Sequence, residues 1–338
     1  MHTVRVPRFG PPEVLEYIEL PDPEPGPGQV RVRVAAAGIN FADITARMGL
    51  YPDSGKPPFV TGYEFAGTIE TIGEGVTSPA VGDEVIGMRN FGCYADTVVT
   101  PAANILPRPA RLDAVAAAAF PVTYLTAWHA MVYIGNLHPG ERLLIQNAGG
   151  GVGTAAIQIA RHRGAVIFGT ASAGKHDFLR GLGVEHLFDY RTPGWEDELR
   201  ERTGGEGVEM ILNPIGGPGL KRDFDLLAHT GRLLLFGMSS GSRGKTRNML
   251  KAVVNIVRTP RFSPLRMMMK NRGVAGVHIG HLWHRPEILA AEFAEMLPLL
   301  EEGVLDPIVD RTFPLAEAAA AHHYIQDRRN RGKVILTT

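Results

Sequence analysis

The stretch RLLIQNAGGGVG at residues 142–153 decides how this chain is read. Leu143, Leu144 and Ile145 form a short apolar run suited to a strand covered on both faces. Past the glycines, Val152, Ala156, Ile159 and Ala160 recur at i, i+4, i+7 and i+8, which places them on one side of a helix. Strand, glycine turn and helix in that order make the unit that holds a dinucleotide phosphate. Ala148, Gly150 and Gly153 stand at its fingerprint positions, with alanine replacing the usual first glycine. Gly150 lets the backbone approach a pyrophosphate, and Gly153 lets helix and strand pack closely. The amides of the first turn, at Gly151 and Val152, face the anion.

Working outward, short apolar strands alternate with helical stretches at 142–147, 165–170, 186–190, 208–213, 232–237 and 274–279. Six such strands predict a doubly wound parallel sheet of the Rossmann kind over 122–282. Residues 1–121 have a different texture: β-branched runs such as VRVRVAAAG and GTIETIGEGV, punctuated by proline and glycine, predict a strand-rich domain. The tail, 283–338, holds a helical stretch and a final strand, and is expected to return to that first domain. The fold class is therefore α/β, a strand-rich domain plus a parallel sheet.

Bulk composition narrows the function. The 338 residues include 44% hydrophobic and 21% charged side chains, the profile of a soluble protein of about two domains. Thirty-five basic against thirty-five acidic side chains argue against a nucleic-acid protein driven by overall charge. One cysteine, Cys93, excludes a disulfide framework and any multi-thiolate zinc cluster. The opening MHTVRVPRFGPPEVLE lacks the apolar core of a signal peptide, and no eighteen apolar residues run uninterrupted, so a cytoplasmic location is expected.

Several ordered segments resemble a known family: RFGPPEVLE, AAAGINFADITARMGLYP, GYEFAGTIETIGEGV followed by VGDEVIG, the NAGGGVGTAAIQIA turn, and the closing GKVIL. Together they are similar to the zinc-independent medium-chain dehydrogenase/reductases of the quinone oxidoreductase kind, over essentially the whole chain. NPIGG, LLLFGMSSG and KNRGVAGVHIGHLW resemble the VAT-1-like branch most. The resemblance implies a GroES-like catalytic domain, a Rossmann domain, a cleft between them, a homodimer, and NADPH-dependent reduction of quinones or α,β-unsaturated carbonyls. Asn40 and Tyr63 stand where zinc-dependent relatives place cysteine and histidine. Glu64 alone survives from their glycine-histidine-glutamate run, and its expected role is pairing with a nearby base. No zinc is expected, although two rings of His278, His281 and His284 fall on one helical face.

Cofactor choice has its own signal. Where an NAD enzyme carries an acid about 20 residues after the turn, this chain reads GTASAGK, with no acid between 165 and 175 to repel a 2′-phosphate. Ser172 can donate a hydrogen bond and Lys175 supplies a charge, which predicts NADP(H). The resemblance points to the same pair and adds Tyr190; Arg191 is a substitute. Phe236, Met238, Ser239 and Val277 lie at carboxyl ends of predicted strands, where such ligands bind. By resemblance, Thr126 contacts the nicotinamide end and Asn330 reaches the cofactor from the tail.

Without a metal, reduction rests on positioning the cofactor against an electron-poor acceptor and on hydrogen bonds to the developing oxyanion. Asn40 offers an amide donor for a substrate oxygen or for the nicotinamide ribose. By resemblance to enoyl reductases, Tyr51 protonates the enolate carbon, which makes an enoyl or alkenal reductase the alternative activity. Asp43 is a candidate helix cap. One segment stands apart: residues 243–272 carry nine basic and no acidic side chains, interleaved with Met249, Leu250, Val253, Val254, Ile256, Val257 and Met267–Met269. It suits an apolar lip over the substrate or a dimer contact, and bulky lipophilic substrates then follow. It also suits an anionic membrane surface, which gives a third reading: a weakly catalytic or non-catalytic NADPH-binding protein on a membrane or partner.

Overall fold

The computed structural model describes residues 1–242 and 244–338, with Lys251 described by its backbone only. Arg243, the first residue of the basic segment, lies outside the described residues. The chain divides into two compact units, Met1–Val122 with Gly244–Arg247 and Pro307–Thr338, and Thr123–Arg243 with Asn248–Asp306.

The first unit is built from short strands: β1 (His2–Val6), β2 (Glu16–Glu19), β3 (Gln29–Gly38), β4 (Phe59–Val60), β5 (Glu64–Ile72), β6 (Glu84–Met88), β7 (Thr97–Pro101) and β8 (Ile105–Pro107). Helices α1 (Phe41–Arg47) and α2 (Ala114–Ala117) interrupt them. The alternation in VRVRV works as period two requires. Val30, Val32 and Val34 are buried against Phe65, Ile69 and Val98, while Arg31 and Arg33 point away and pair with Glu70.

Helix α3 (Pro121–Trp128), which enters the second unit at Thr123, runs into a π-turn at His129–Ile134, where Gly135 N–H reaches Ala130 O at 2.8 Å. Six parallel strands follow: β9 (Arg142–Ile145), β10 (Val166–Ala171), β11 (His186–Asp189), β12 (Val208–Asn213), β13 (Leu227–Leu235) and β14 (Gly273–Gly276). Their order is β11-β10-β9-β12-β13-β14, so the chain reverses direction across the sheet between β9 and β12. That reversal is where open parallel sheets take ligands, at the strands' carboxyl ends. The connecting helices are α4 (Gly151–His162), α5 (His176–Gly181), α6 (Trp195–Arg202), α7 (Gly219–Asp225), α8 (Met249–Val257) and α9 (Pro264–Lys270). On α4, Gly153, Ala156, Ile159 and Ala160 are buried as expected, together with Ala155 and Ile157, whereas Val152 is only half-buried.

Helix α10 (Pro286–Glu301) corrects the expected boundary at 282. It belongs to the second unit, with Leu289, Phe293, Met296 and Leu300 buried and Glu292 bonded to His129 of the π-turn at 2.6 Å. Only from Pro307 does the tail join the first unit. There β15 (Val309–Pro314) and β16 (Lys333–Thr337) extend the sheet beside β3, pairing Ile335 with Gly38, and α11 (Ala318–Gln326) packs Ala318 and Ala321 into the core. The run Ala114–Ile134 is long and apolar enough to cross a membrane, yet most of it is buried within the fold, as in a core helix.

Candidate functional site

In the second unit, the turn after β9 is built as the sequence implies. Asn147 takes a left-handed φ of 58°, which asparagine tolerates, and its carbonyl accepts Gly150 N–H at 3.0 Å. A Cβ built on Gly153 would lie 2.5 Å from Ala148 O, and one on Gly150 would lie 2.8 Å from Asn147 Nδ2. At Gly153 the obstacle is backbone and only glycine fits; at Gly150 a side chain would have to displace the Asn147 amide. The first turn of α4 therefore presents its amides unscreened by side chains, which suits a pyrophosphate. Ala148 is fully buried and fills the first-glycine position without crowding the turn.

A buried polar chain that sequence reasoning missed holds this turn in place. Thr170 Oγ1 donates to Gln146 Oε1 at 2.7 Å, Gln146 Nε2 donates to Asp223 Oδ1 at 3.2 Å, and Asn213 Nδ2 donates to Asp223 Oδ2 at 2.5 Å. Asn213 Oδ1 then accepts the amides of Ile215 and Gly216 in NPIGG. Burial pushes the Asp223 carboxyl up from its ordinary value. The chain links β10, β9, β12 and α7; its members are scattered polar residues inside apolar runs, and no spacing marks them.

Ser172 and Lys175 sit at the end of β10, next to the turn. A Cβ on Gly149 would meet Lys175 Cδ at 2.8 Å, so the lysine stem lies across the glycines. Lys175 precedes α5 as its N-cap residue, and the Ser172 hydroxyl, half-buried, has no partner among the described residues. One sequence inference needs correction. An acid does reach this place, from the next strand: Asp189, closing β11, accepts Ala173 N–H at 3.0 Å. Arg191 chelates it, through Nη2 at 2.6 Å and Nε at 2.9 Å, and these hydrogen bonds hold the Asp189 carboxyl well below the usual range. Tyr190 between them is exposed.

On the other side of the reversal, Phe236 N–H bonds Asn213 O at 3.0 Å and Ser239 N–H bonds Pro214 O at 3.1 Å, with Met238 exposed between them. Val277, past β14, is tied to Leu235 O at 2.8 Å. Thr126 is buried on α3. The rings of His278 and His281 stand 4.1 Å apart in a short 3-10 turn.

The first unit holds Asn40, Tyr51 and Asn330. Asn40 precedes α1; its N–H donates to Asp43 Oδ2 at 2.7 Å, so Asp43 does cap this helix, reaching back from its third position. Asp43 is fully buried, and also accepts Thr61 Oγ1 and Gly62 N–H; burial raises its carboxyl to about 6. Asn40 Nδ2 donates to Glu64 Oε1 at 2.8 Å, and Lys333 is the base that pairs with Glu64, at 2.6 Å. Tyr51 sets its ring edge-on to Tyr63, centroids 6.1 Å apart, and burial raises its phenol to about 12. Asn330 donates Nδ2–H to Gly332 O at 2.9 Å, within the tail.

This donor set does not fit a catalytic zinc. Such a site needs about three nitrogen, thiolate or carboxylate ligands. Here Asn40 supplies an amide, Tyr63 a phenol held protonated by burial, and Glu64 a carboxylate spent on Lys333 and Asn40. Cys93 is fully buried, with its thiol pushed up by that burial.

Comparison with known proteins gives the family. Residues 26–110 match the alcohol dehydrogenase GroES-like domain, and residues 182–336 match a family described as zinc-binding dehydrogenase. The human synaptic vesicle membrane protein VAT-1 homolog is 35% identical over 302 residues, covering 89% of this chain and 77% of the relative. The chain spans 62% of the length of the zebrafish VAT-1 homolog, which is longer. A mycobacterial protein solved with NADPH superposes with a TM-score of 0.88 at 28% identity, covering all of both chains. The CurK enoyl reductase superposes with a TM-score of 0.86 at 28% identity, covering 99% of this chain and 98% of that one. With the cysteine and histidine of the zinc enzymes replaced by Asn40 and Tyr63, the chain belongs to the medium-chain dehydrogenase/reductases, an oxidoreductase family, in their zinc-independent, VAT-1-like branch.

Proposed function

We propose that this protein reduces a quinone or an activated alkene with NADPH and without zinc. The observation carrying the reading is the bare glycine turn with Lys175 laid across it and the Ser172 hydroxyl beside it. Gly150, Gly151, Val152 and Gly153 would hold the pyrophosphate, and Ser172, Lys175 and Tyr190 the 2′-phosphate. When bound, the dinucleotide supplies a hydride. The chain's own residues handle charge and protons. Asn40 offers an N–H to a substrate oxygen as negative charge gathers there. Tyr51, its phenol held near 12, keeps its proton at neutral pH and suits the alkene alternative. A quinone needs no such donor, since its protons come from water.

The test is an NADPH-oxidation screen across quinones, enones and enoyl thioesters, with NADH as control. Turnover of one class with NADPH supports the reading; no turnover, together with no heat on titrating either coenzyme, removes it. A homodimer belongs to the same proposal on family likeness, and a cytoplasmic location on the sequence expectation alone; light scattering and fractionation check them.

A second reading has its own observation. On α8, Leu250 is 75% exposed, Val257 77% and Ile256 61%, and on α9 Met269 is 74% exposed. Apolar side chains bared to this degree mark a contact surface. Peripheral membrane association is the function proposed for it.

A further inference from the structure

Lys333, the lysine of the closing GKVIL, is almost fully buried at the first residue of β16, and all three of its N–H groups have assigned acceptors. It donates to Ile39 O at 2.8 Å, to Asn40 Oδ1 at 2.9 Å and to Glu64 Oε1 at 2.6 Å. Glu64, also fully buried, accepts Asn40 Nδ2–H on the same Oε1 at 2.8 Å and Val122 N–H on Oε2 at 2.7 Å. Lysine can only donate and an ionised carboxylate can only accept. The Asn40 amide, held between them, therefore has one orientation: oxygen toward Lys333, nitrogen toward Glu64. A flip would place Asn40 NH2 against the ammonium and its oxygen against the carboxylate, losing two charge-assisted bonds and adding two repulsions.

One amide hydrogen remains. Nδ2 carries two, Glu64 takes one, and the other has no acceptor among the described residues. Asn40 is half-buried, so its side chain is open to an incoming group. The geometry points to Lys333 as a positioning residue: with Glu64 it locks the Asn40 amide so that a single N–H is aimed outward as donor to the substrate oxygen. This rests on the proposed reduction, in which Asn40 meets that oxygen. A pair of opposite charges suits the task better than neutral partners, because neutral groups that both donate and accept would tolerate either amide orientation.

The experiment compares wild type, Lys333→Met, and the double variant Glu64→Gln with Lys333→Met. The single variant strands Glu64 as a buried uncompensated charge and is expected to lose stability. The double variant removes both charges while keeping size, and carries the test. Each is assayed with NADPH and the best acceptor from the screen, and the Asn40 side-chain amide is followed by 15N NMR, assigned by its loss in Asn40→Asp. In wild type the two Nδ2 protons are expected to be well separated, the Glu64-bound one far downfield; in the folded double variant the separation collapses. Turnover in that variant should fall about tenfold or more in kcat, with KM changed less than about threefold, because the donor acts on charge that develops during reaction. Lys333→Arg, which keeps a cationic donor, should recover most of the rate. Amide signals unchanged in the double variant, or kcat within about twofold of wild type while they change, overturn the proposal. If wild type turns over no acceptor, the proposed reduction itself falls, and the amide signals alone decide whether Lys333 orients Asn40.

Discussion

Tyr51 and Asp43 lie eight positions apart, and burial raises both, which favours the protonated form of each but in different pH ranges. The Tyr51 phenol, raised to about 12, holds its proton at neutral pH and well above it. It can serve as an acid but not as a base. Tyr51→Phe is therefore expected to lower alkene reduction by about a hundredfold, the usual worth of a positioned proton donor, and to leave quinone reduction nearly unchanged; parallel assays of the two acceptors check this. Asp43, raised from 3.8 to about 6, makes the fold retain a proton in the acid range. Between those values the folded state keeps a proton that the unfolded chain has released, so stability falls as pH rises from about 4 to about 6, by about 3 kcal/mol in all. Asp43→Asn loses part of the capping set but should flatten that slope, which urea titrations at several pH values would read. The sequence marked Asp43 as a candidate helix cap and, only through the family resemblance, Tyr51 as a proton donor. It did not reveal the enclosure of Asp43 by Thr61 and Gly62, because those partners come from a loop 18 and 19 positions away.

The turn from β9 into α4 was legible in the sequence because its signal is local: apolar strand, glycines that must stay bare, then a helix with a small-residue face. Cofactor selectivity is less local. The segment GTASAGK contains no acid, yet parallel pairing sets β11 beside β10 and brings Asp189 to Ala173 N–H, 16 positions back. A carboxylate there would repel a 2′-phosphate were Arg191 not chelating it. Arg191→Ala should therefore weaken NADPH binding about three- to tenfold at an ionic strength near 0.01 M and much less near 1 M, since this exposed pair acts through a screened field. NADH binding should hardly change. Calorimetric titration of both coenzymes at the two salt levels measures it; equal losses for both would instead point to a general effect on the β11 end. The polar chain from Thr170 through Gln146 and Asp223 to Asn213 escaped notice for the same reason, being assembled across three strands and a helix.

At the scale of the whole molecule, the two-unit architecture followed from the change of texture near residue 120, but the return point did not. A helix rich in alanine and leucine reads the same whichever core it serves. It is the His129–Glu292 bond and the buried Leu289, Phe293, Met296 and Leu300 that assign α10 to the second unit. The basic segment also changes meaning in three dimensions. Of its nine cations, Lys245 pairs with Asp327 at 2.7 Å, Arg247 lies over the Phe9 ring, and Arg272 donates to Ala228 and Phe224 carbonyls. Arg266 approaches Asp225 at 4.0 Å, which leaves Arg258, Arg261 and Lys270 as the described cations without an assigned partner. Near an anionic bilayer each of these is worth about 1 kcal/mol, whereas burying one valine or leucine side chain is worth about 1.5–3 kcal/mol. Insertion of α8, rather than charge, should therefore dominate membrane attachment. Leu250→Glu with Val257→Glu is expected to abolish pelleting with vesicles of mixed phosphatidylserine and phosphatidylcholine, while Arg258→Gln with Arg261→Gln weakens it only in part. Both positions of the first pair are more than three-quarters or about three-quarters exposed, so thermal stability should stay within about 1 kcal/mol of wild type. If pelleting survives the glutamates while reduction of long-chain quinones is lost, α8 is a lip for lipophilic substrate and the membrane reading is gone.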